Sequence, residues 1–171
     1  MLLAKQEILS YVDNGKLMQG FIDKDKQIQS AGVDLTVGKI FKLSGKGVID
    51  FTNEKRQLPE YIEVTPENDV WNLEPGLYNA SMNETVELPN DIAAMVLPRS
   101  SALVCGVEAH TALWDPGYKG RGFLYFKLQR PIEIHKNARI VQMVFLKTKE
   151  TEGYEGIYKG EDLLANNKRG K

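Results

Sequence analysis

Three short stretches of this 171-residue chain hold the side chains best suited to chemistry. In Val96-Leu97-Pro98-Arg99-Ser100-Ser101-Ala102-Leu103 an apolar run meets a proline, a cation and two hydroxyls before helix-compatible residues. That order predicts Arg99, Ser100 and Ser101 at a helix N-terminus. There, free backbone N–H groups, the helix dipole and a guanidinium able to bind two oxygens at once favour phosphate. An N-cap pair beside a surface arginine explains the same residues equally well. In Trp114-Asp115-Pro116-Gly117-Tyr118-Lys119-Gly120 a carboxylate at a strand end precedes a tight turn and an aromatic ring. Such a unit can hold a water while the ring packs on a ligand, although Asp-Pro-Gly is more often simply a turn. In Asn137-Ala138-Arg139-Ile140-Val141-Gln142-Met143-Val144-Phe145 an amide interrupts an apolar strand. Half-buried, Gln142 needs partners from backbone or from a ligand phosphate, and backbone is the commoner answer.

Other chemistries lack their residues. His110, His135 and the single Cys105 fall short of the four N or S ligands of a structural zinc site, and one cysteine forms no internal disulfide. Twenty-two Lys and Arg against 23 Asp and Glu leave a formal charge of -1, so no global field draws nucleic acid or an anionic membrane. An anionic ligand must be captured locally. With no secretory apolar region or long apolar run after Met1, the expected location is the cytoplasm. Trp71, Trp114, Met143 and Cys105 read as core or interface, and His135, beside Lys136, as exposed.

The elements that must position these residues follow from the apolar pattern. Leu3, Ile8, Leu9 and Val12 recur at helical spacing before Asp13-Asn14-Gly15, which predicts an N-terminal helix within residues 2–20 ended by a left-handed glycine. Thereafter short apolar runs at 33–41, 61–64, 76–80, 92–97, 122–128, 132–134 and 140–146 are cut by glycine, proline and asparagine, which predicts an antiparallel sandwich or barrel. Residues 42–59 are polar and predict a loop, and 106–113 could fold as a hairpin. One domain over 1–171 is expected, with its β-barrel at about 30–148 and a mobile tail from about 150 to 171.

Taken in order, the stretches resemble the numbered motifs of the dUTPase and dCTP deaminase superfamily. Ser30-Ala31-Gly32-Val33-Asp34-Leu35 resembles the first, Pro98 to Ser101 the second, Asp115 to Gly120 the third and Arg139-Ile140-Val141-Gln142 the fourth. Residues 2–20 and Tyr154-Glu155-Gly156-Ile157-Tyr158-Lys159-Gly160 resemble the deaminase branch. The resemblance covers about residues 1 to 160. It implies a mainly β subunit, a distorted jelly-roll or barrel with an N-terminal helix and a short helix after Arg-Ser-Ser. It also implies a homotrimer with three sites at subunit interfaces, taking a deoxyribonucleoside triphosphate with Mg2+.

The resemblance further assigns roles. Asp115 activates the water that attacks the α-phosphorus, while Arg99, Ser100, Ser101 and Gln142 hold the triphosphate. Tyr118 packs on the deoxyribose. Main-chain groups of 106–113 read the base, with help from His110 or Thr111, and Tyr158 stands on the base and sugar side. Lys159 could meet the γ-phosphate. Asp34 either contacts the hydrated metal through water or braces the site.

Between the superfamily's two reactions, the residues point to hydrolysis of dUTP. Deaminases move protons with a glutamate on the strand after the third motif, and the matching position is Tyr125, whose phenol, with an ordinary pKa of about 10, is a poor proton shuttle near neutrality. They also carry an arginine where Val104 stands. Glu108 could supply the missing carboxylate, so a dCTP deaminase, or a bifunctional dCTP deaminase and dUTPase, is the alternative. A catalytically silent trimeric binding protein is a third.

Overall fold

The computed structural model describes residues 1–121, 123–156 and 158–160. Helix α1 (Lys5–Asp13) buries Ile8 and ends in two cap bonds: Lys16 N–H donates to Tyr11 O and Gly15 N–H to Val12 O, both at 2.9 Å, with Gly15 at a φ of 69°. This Schellman closure turns the chain out of the helix. Residues 17–19 therefore do not extend the helix; Leu17–Gln19 is strand β1. A second short helix, α2 (Lys24–Gln27), follows, capped by the Asp23 carboxylate.

Strands β2 (Ile28–Gln29) and β3 (Gly32–Ser44) come next, then β4 (Glu60–Val64), β5 (Val70–Leu73), β6 (Gly76–Met82), β7 (Thr85–Glu87) and β8 (Ile92–Pro98). Helix α3 (Ser100–Val104) separates β8 from β9 (Val107–His110), and β10 (Lys119–Gly120), β11 (Phe123–Leu128), β12 (Ile132–His135) and β13 (Arg139–Lys147) complete the order. The main sheet runs β8-β13-β3-β6-β11-β9, with β2 and β4 also on β3. All its pairings are antiparallel. Smaller sheets join β1-β7-β10 and β12-β5.

The thirteen residues of β3 form the corner of the structure. Val33 to Thr36 pair with β13, whereas from Val37 the strand pairs with β6, across a register shift between Val37 and Lys39, and from Ile40 with β4 as well. A bridge from Ala94 to Trp114 draws the β8 edge toward the chain beyond β9, so the sheet nearly closes on itself. This is the mainly β, barrel-like fold expected, with helices at the expected N-terminal and post-Arg-Ser-Ser positions. Inside it Ile40, Leu124, Phe126, Met143 and Phe145 are fully buried. Each such side chain removed from water stabilises the fold by roughly 1.5–3 kcal/mol.

Two local expectations are corrected. Residues 106–113 form no hairpin: β9 pairs with β11, matching Val107 to Leu128 and His110 to Tyr125, because the long apolar β11 supplies an open edge. The polar stretch 42–59 is partly strand, since β3 runs on to Ser44 and Val48 bridges Gln57. The β12 partner, β5, had no alternating signal to announce it.

Candidate functional site

The candidate residues assemble in two places. The first lies where β3, β13 and the end of β8 run side by side. Asp34, in the buried half of β3, pairs in register with Gln142 of β13. Gly32, two residues earlier, makes this possible, because a Cβ there would stand 2.4 Å from Met143 O. Around the Asp34 carboxylate, Arg99 Nε lies 3.0 Å away, Arg139 Nη1 3.3 Å and Gln142 Nε2 3.4 Å. Burial pushes the Asp34 carboxyl above its ordinary range, and Arg99, then Arg139 and Gln142, pull it back. Removing one partner from a buried charge costs about 3–5 kcal/mol, which makes Asp34 a brace for both guanidinium groups.

Arg99 caps α3 and also donates from Nη1 to Arg139 O at 2.9 Å, so two of its five donors are committed to the fold. Ser100 and Ser101 open α3 with their side chains exposed. Arg139 is the cation that sequence reasoning passed over. It stands three residues before Gln142, a spacing that puts two side chains on opposite faces of a regular strand. A bulge between Arg139 and Val141 restores a common face, and nothing in the sequence announced that bulge.

The second place is a cleft of about 460 Å³. Asp115, Tyr118, His110, Thr111 and Tyr158 all line it, together with Tyr125, Trp114, Phe123 and Tyr154. Asp115 and Tyr118 are the two ends of the turn Asp115-Pro116-Gly117-Tyr118, closed by Tyr118 N–H donating to Asp115 O at 3.1 Å. Proline second and Gly117 third, at a φ of 79°, make this a type II geometry that aims the first and fourth side chains into one space. Asp115 is exposed, whereas Tyr118 is buried. Tyr154 and Phe123 were not singled out by the sequence as lining residues, and Trp114, read there as core, is both buried and part of the wall.

Asp115 is the only carboxylate lining this cleft among the described residues. Glu108 does not fill that place. It faces a neighbouring depression, where it accepts from the Gln129 amide and lies 3.9 Å from Lys127 Nζ. None of Asp34, Arg99, Ser100, Ser101 and Gln142 lines the cleft. Lys159, expected at a phosphate, is exposed and paired with Glu155, four residues earlier. Residues 161–171, the rest of the expected tail, lie outside the described residues.

No three His, Cys, Asp or Glu side chains gather as a metal cage among the described residues. No described helix is long and apolar enough to cross a membrane.

A barrel-like sheet with an Arg-Ser-Ser turn and an Asp-Pro-Gly-Tyr cleft defines a class that comparison with known proteins bears out. The family model described as dCTP deaminase-like matches residues 2–148, and the chain belongs to that family. Among curated relatives, a probable deoxyuridine 5'-triphosphate nucleotidohydrolase of Archaeoglobus fulgidus is 40% identical over 164 residues, covering 94% of this chain and 97% of that protein. The deoxyuridine 5'-triphosphate nucleotidohydrolase of Methanocaldococcus jannaschii is 44% identical over 140 residues, 80% of this chain and 90% of its own. Among solved structures, the 2'-deoxycytidine 5'-triphosphate deaminase of Agrobacterium tumefaciens shares the fold, with a TM-score of 0.65 at 21% identity over 84% of this chain. That match spans 47% of the deaminase chain.

Proposed function

We propose that this chain hydrolyses dUTP to dUMP and diphosphate. The observation that carries the reading is the content of the cleft: among the described residues one carboxylate, Asp115, and a tyrosine, Tyr125, at the position matching the proton-shuttling glutamate of the deaminases. Deamination must move protons on the ring and on departing ammonia, whereas diphosphate hydrolysis needs a single base for a water. The relatives named as nucleotidohydrolases, at 40% and 44% identity, support the same reaction.

In this mechanism the Asp115 carboxylate takes a proton from water, the water oxygen attacks the α-phosphorus in line, and the bond from that phosphorus to the bridging oxygen breaks. Diphosphate leaves. Arg99, Ser100, Ser101 and Gln142 hold the phosphates, Arg99 through the donors not engaged by Asp34 and Arg139. Tyr118 closes on the deoxyribose, and main-chain groups near His110 and Thr111 read uracil. Magnesium would be held mainly by the three phosphates and water, and would supply charge neutralisation at the phosphoryl oxygens. Asp34 reaches it through water at most, with two guanidinium groups already on its carboxylate. The family resemblance implies a homotrimer with its sites between subunits, and the phosphate cluster's absence from the lining of the cleft within one chain supports a site completed by a neighbouring subunit.

The test is to incubate the protein with magnesium and either dUTP or dCTP and to separate the products by chromatography. dUMP from dUTP, with dCTP left intact, is the expected result. A uridine nucleotide formed from dCTP would overturn it in favour of deamination.

A further inference from the structure

The chain beyond β13 returns to the cleft instead of leaving the barrel. Thr151 N–H donates to Asn90 O at 3.1 Å and Tyr154 N–H to Pro116 O at 2.8 Å, and Gly160 N–H donates to Lys119 O at 2.6 Å. The seat is tight. A Cβ at Gly117 would lie 2.6 Å from Gly153 Cα, 2.8 Å from Asn90 Oδ1 and 2.9 Å from Tyr154 N. Gly117 therefore serves twice, supplying the positive φ of the turn and the space in which this strap lies against it.

The consequence falls on one ring. The strap lays Tyr154 beside Tyr118, with centroids 5.8 Å apart and planes at 53°. Both line the cleft, and the Tyr154 hydroxyl accepts from Tyr158 N–H at 3.4 Å. A tyrosine at a turn has free rotation about its first two side-chain bonds unless neighbours remove it, and ordering such a side chain costs on the order of 1 kcal/mol. A ring that must bar one extra hydroxyl discriminates only if it cannot swing aside.

We infer that Tyr154 is a positioning residue for sugar selectivity: packed on Tyr118, it immobilises the ring that opposes a 2'-hydroxyl. This rests on reading the cleft as the base and sugar pocket of a pyrimidine deoxynucleotide. Tyr154 itself needs no contact with the nucleotide.

The experiment compares Tyr154→Ala and Tyr154→Phe with the parent, all in the full chain. Affinities for dUMP and UMP are measured by titration calorimetry, and kcat/KM is measured for dUTP against UTP and for dCTP against CTP. Tyr154→Ala should lower the deoxy-to-ribo ratio by at least about fivefold, the low end of what an unpaired buried hydroxyl costs. Tyr154→Phe, which keeps the ring, should hold the ratio within about twofold of the parent. A merely structural role would scale both nucleotides together and leave the ratio where it was; that result overturns the inference. So does a Phe variant that falls as far as the Ala variant, because the hydroxyl and not the ring would then be responsible. If Tyr154→Ala melts too early to assay, Tyr154→Leu, which keeps apolar volume without a flat ring, carries the same expectation. A parent that acts on dCTP and not dUTP refutes the proposed reaction while the dCTP to CTP ratio still judges Tyr154. A parent that binds neither monophosphate refutes the cleft reading and this inference with it.

Discussion

At the scale of single residues, the site separates groups that do chemistry from groups that hold them. Asp115 stands exposed among the aromatic residues that line the cleft, with no other carboxylate among the described lining residues to replace it. Asp115→Asn preserves size and phosphate contacts while removing the base. Turnover of dUTP should fall by about 10² to 10⁴-fold with nucleotide affinity nearly unchanged. A variant within a few-fold of the parent would show that another group activates the water. Arg99 makes a different case, since its charge is less informative than its shape. Its Nε and Nη1 are spent on Asp34 and on Arg139 O, leaving a planar edge for phosphate. Lysine cannot do both. Arg99→Lys should lower kcat/KM for dUTP by about tenfold to a hundredfold, the worth of a charge-assisted hydrogen bond. Unchanged kinetics with a lowered melting point would assign Arg99 to the fold alone.

At the scale of elements, a buried carboxylate ties three segments together behind the phosphate cluster. Glu84, between β6 and β7, accepts from Gln27 Nε2 of α2 at 2.7 Å and from Thr36 N of β3 at 3.0 Å. Gln27 also donates to Asp34 O at 2.9 Å, which fixes the backbone that carries the brace. Burial pushes the Glu84 carboxyl above its ordinary value of 4.5, against hydrogen bonds from Thr36 and Gln27 that lower it. With the folded value raised, the folded protein takes up this proton more readily than the unfolded chain does. The stability it contributes is fully present below 4.5 and is lost as pH rises through the folded value. Glu84→Gln cannot titrate. The melting temperature of the parent minus that of the variant should therefore grow as pH falls from about 8 to about 5. A difference that stays level, or shrinks toward acid, would mean that Glu84 is not held with a raised value.

At the scale of the whole molecule, the separation of the Asp34, Arg99 and Gln142 cluster from the Asp115 cleft becomes a statement about assembly. If each site pairs the cleft of one subunit with the cluster of its neighbour, two inactive variants can repair each other. Asp115→Asn subunits keep the cluster and Arg99→Ala subunits keep the cleft. In trimers formed at random from equal amounts, about one interface in four unites two intact halves, so about a quarter of parental activity should return. Activity no higher than the sum of the two separate variants would place the whole site within one chain.

Much of this protein was legible without coordinates. The strand-forming runs at 76–80, 92–97 and 140–146 are apolar enough to demand burial and are punctuated by turn residues, and they became β6, β8 and β13 with small shifts at their ends. The glycine stop after α1 and the Asp-Pro-Gly turn were equally plain, because each is set by local backbone sterics. What the sequence left open was decided by contacts between distant segments. Residues 106–113 could have paired with themselves, yet β9 found the free edge of β11. Gln142 could have bonded to backbone or to ligand, and its neighbour across the sheet proved to be Asp34. Arg139 joined that cluster only through a bulge, and Tyr154 reached Tyr118 only because two glycines let separate backbones touch. Turns and apolar periodicity are properties of a few neighbouring residues, so the sequence alone determines them. Partner choice, a bulge that re-aims a side chain and a ring held by a returning strap depend on what lies across the barrel, and tertiary structure alone decides them.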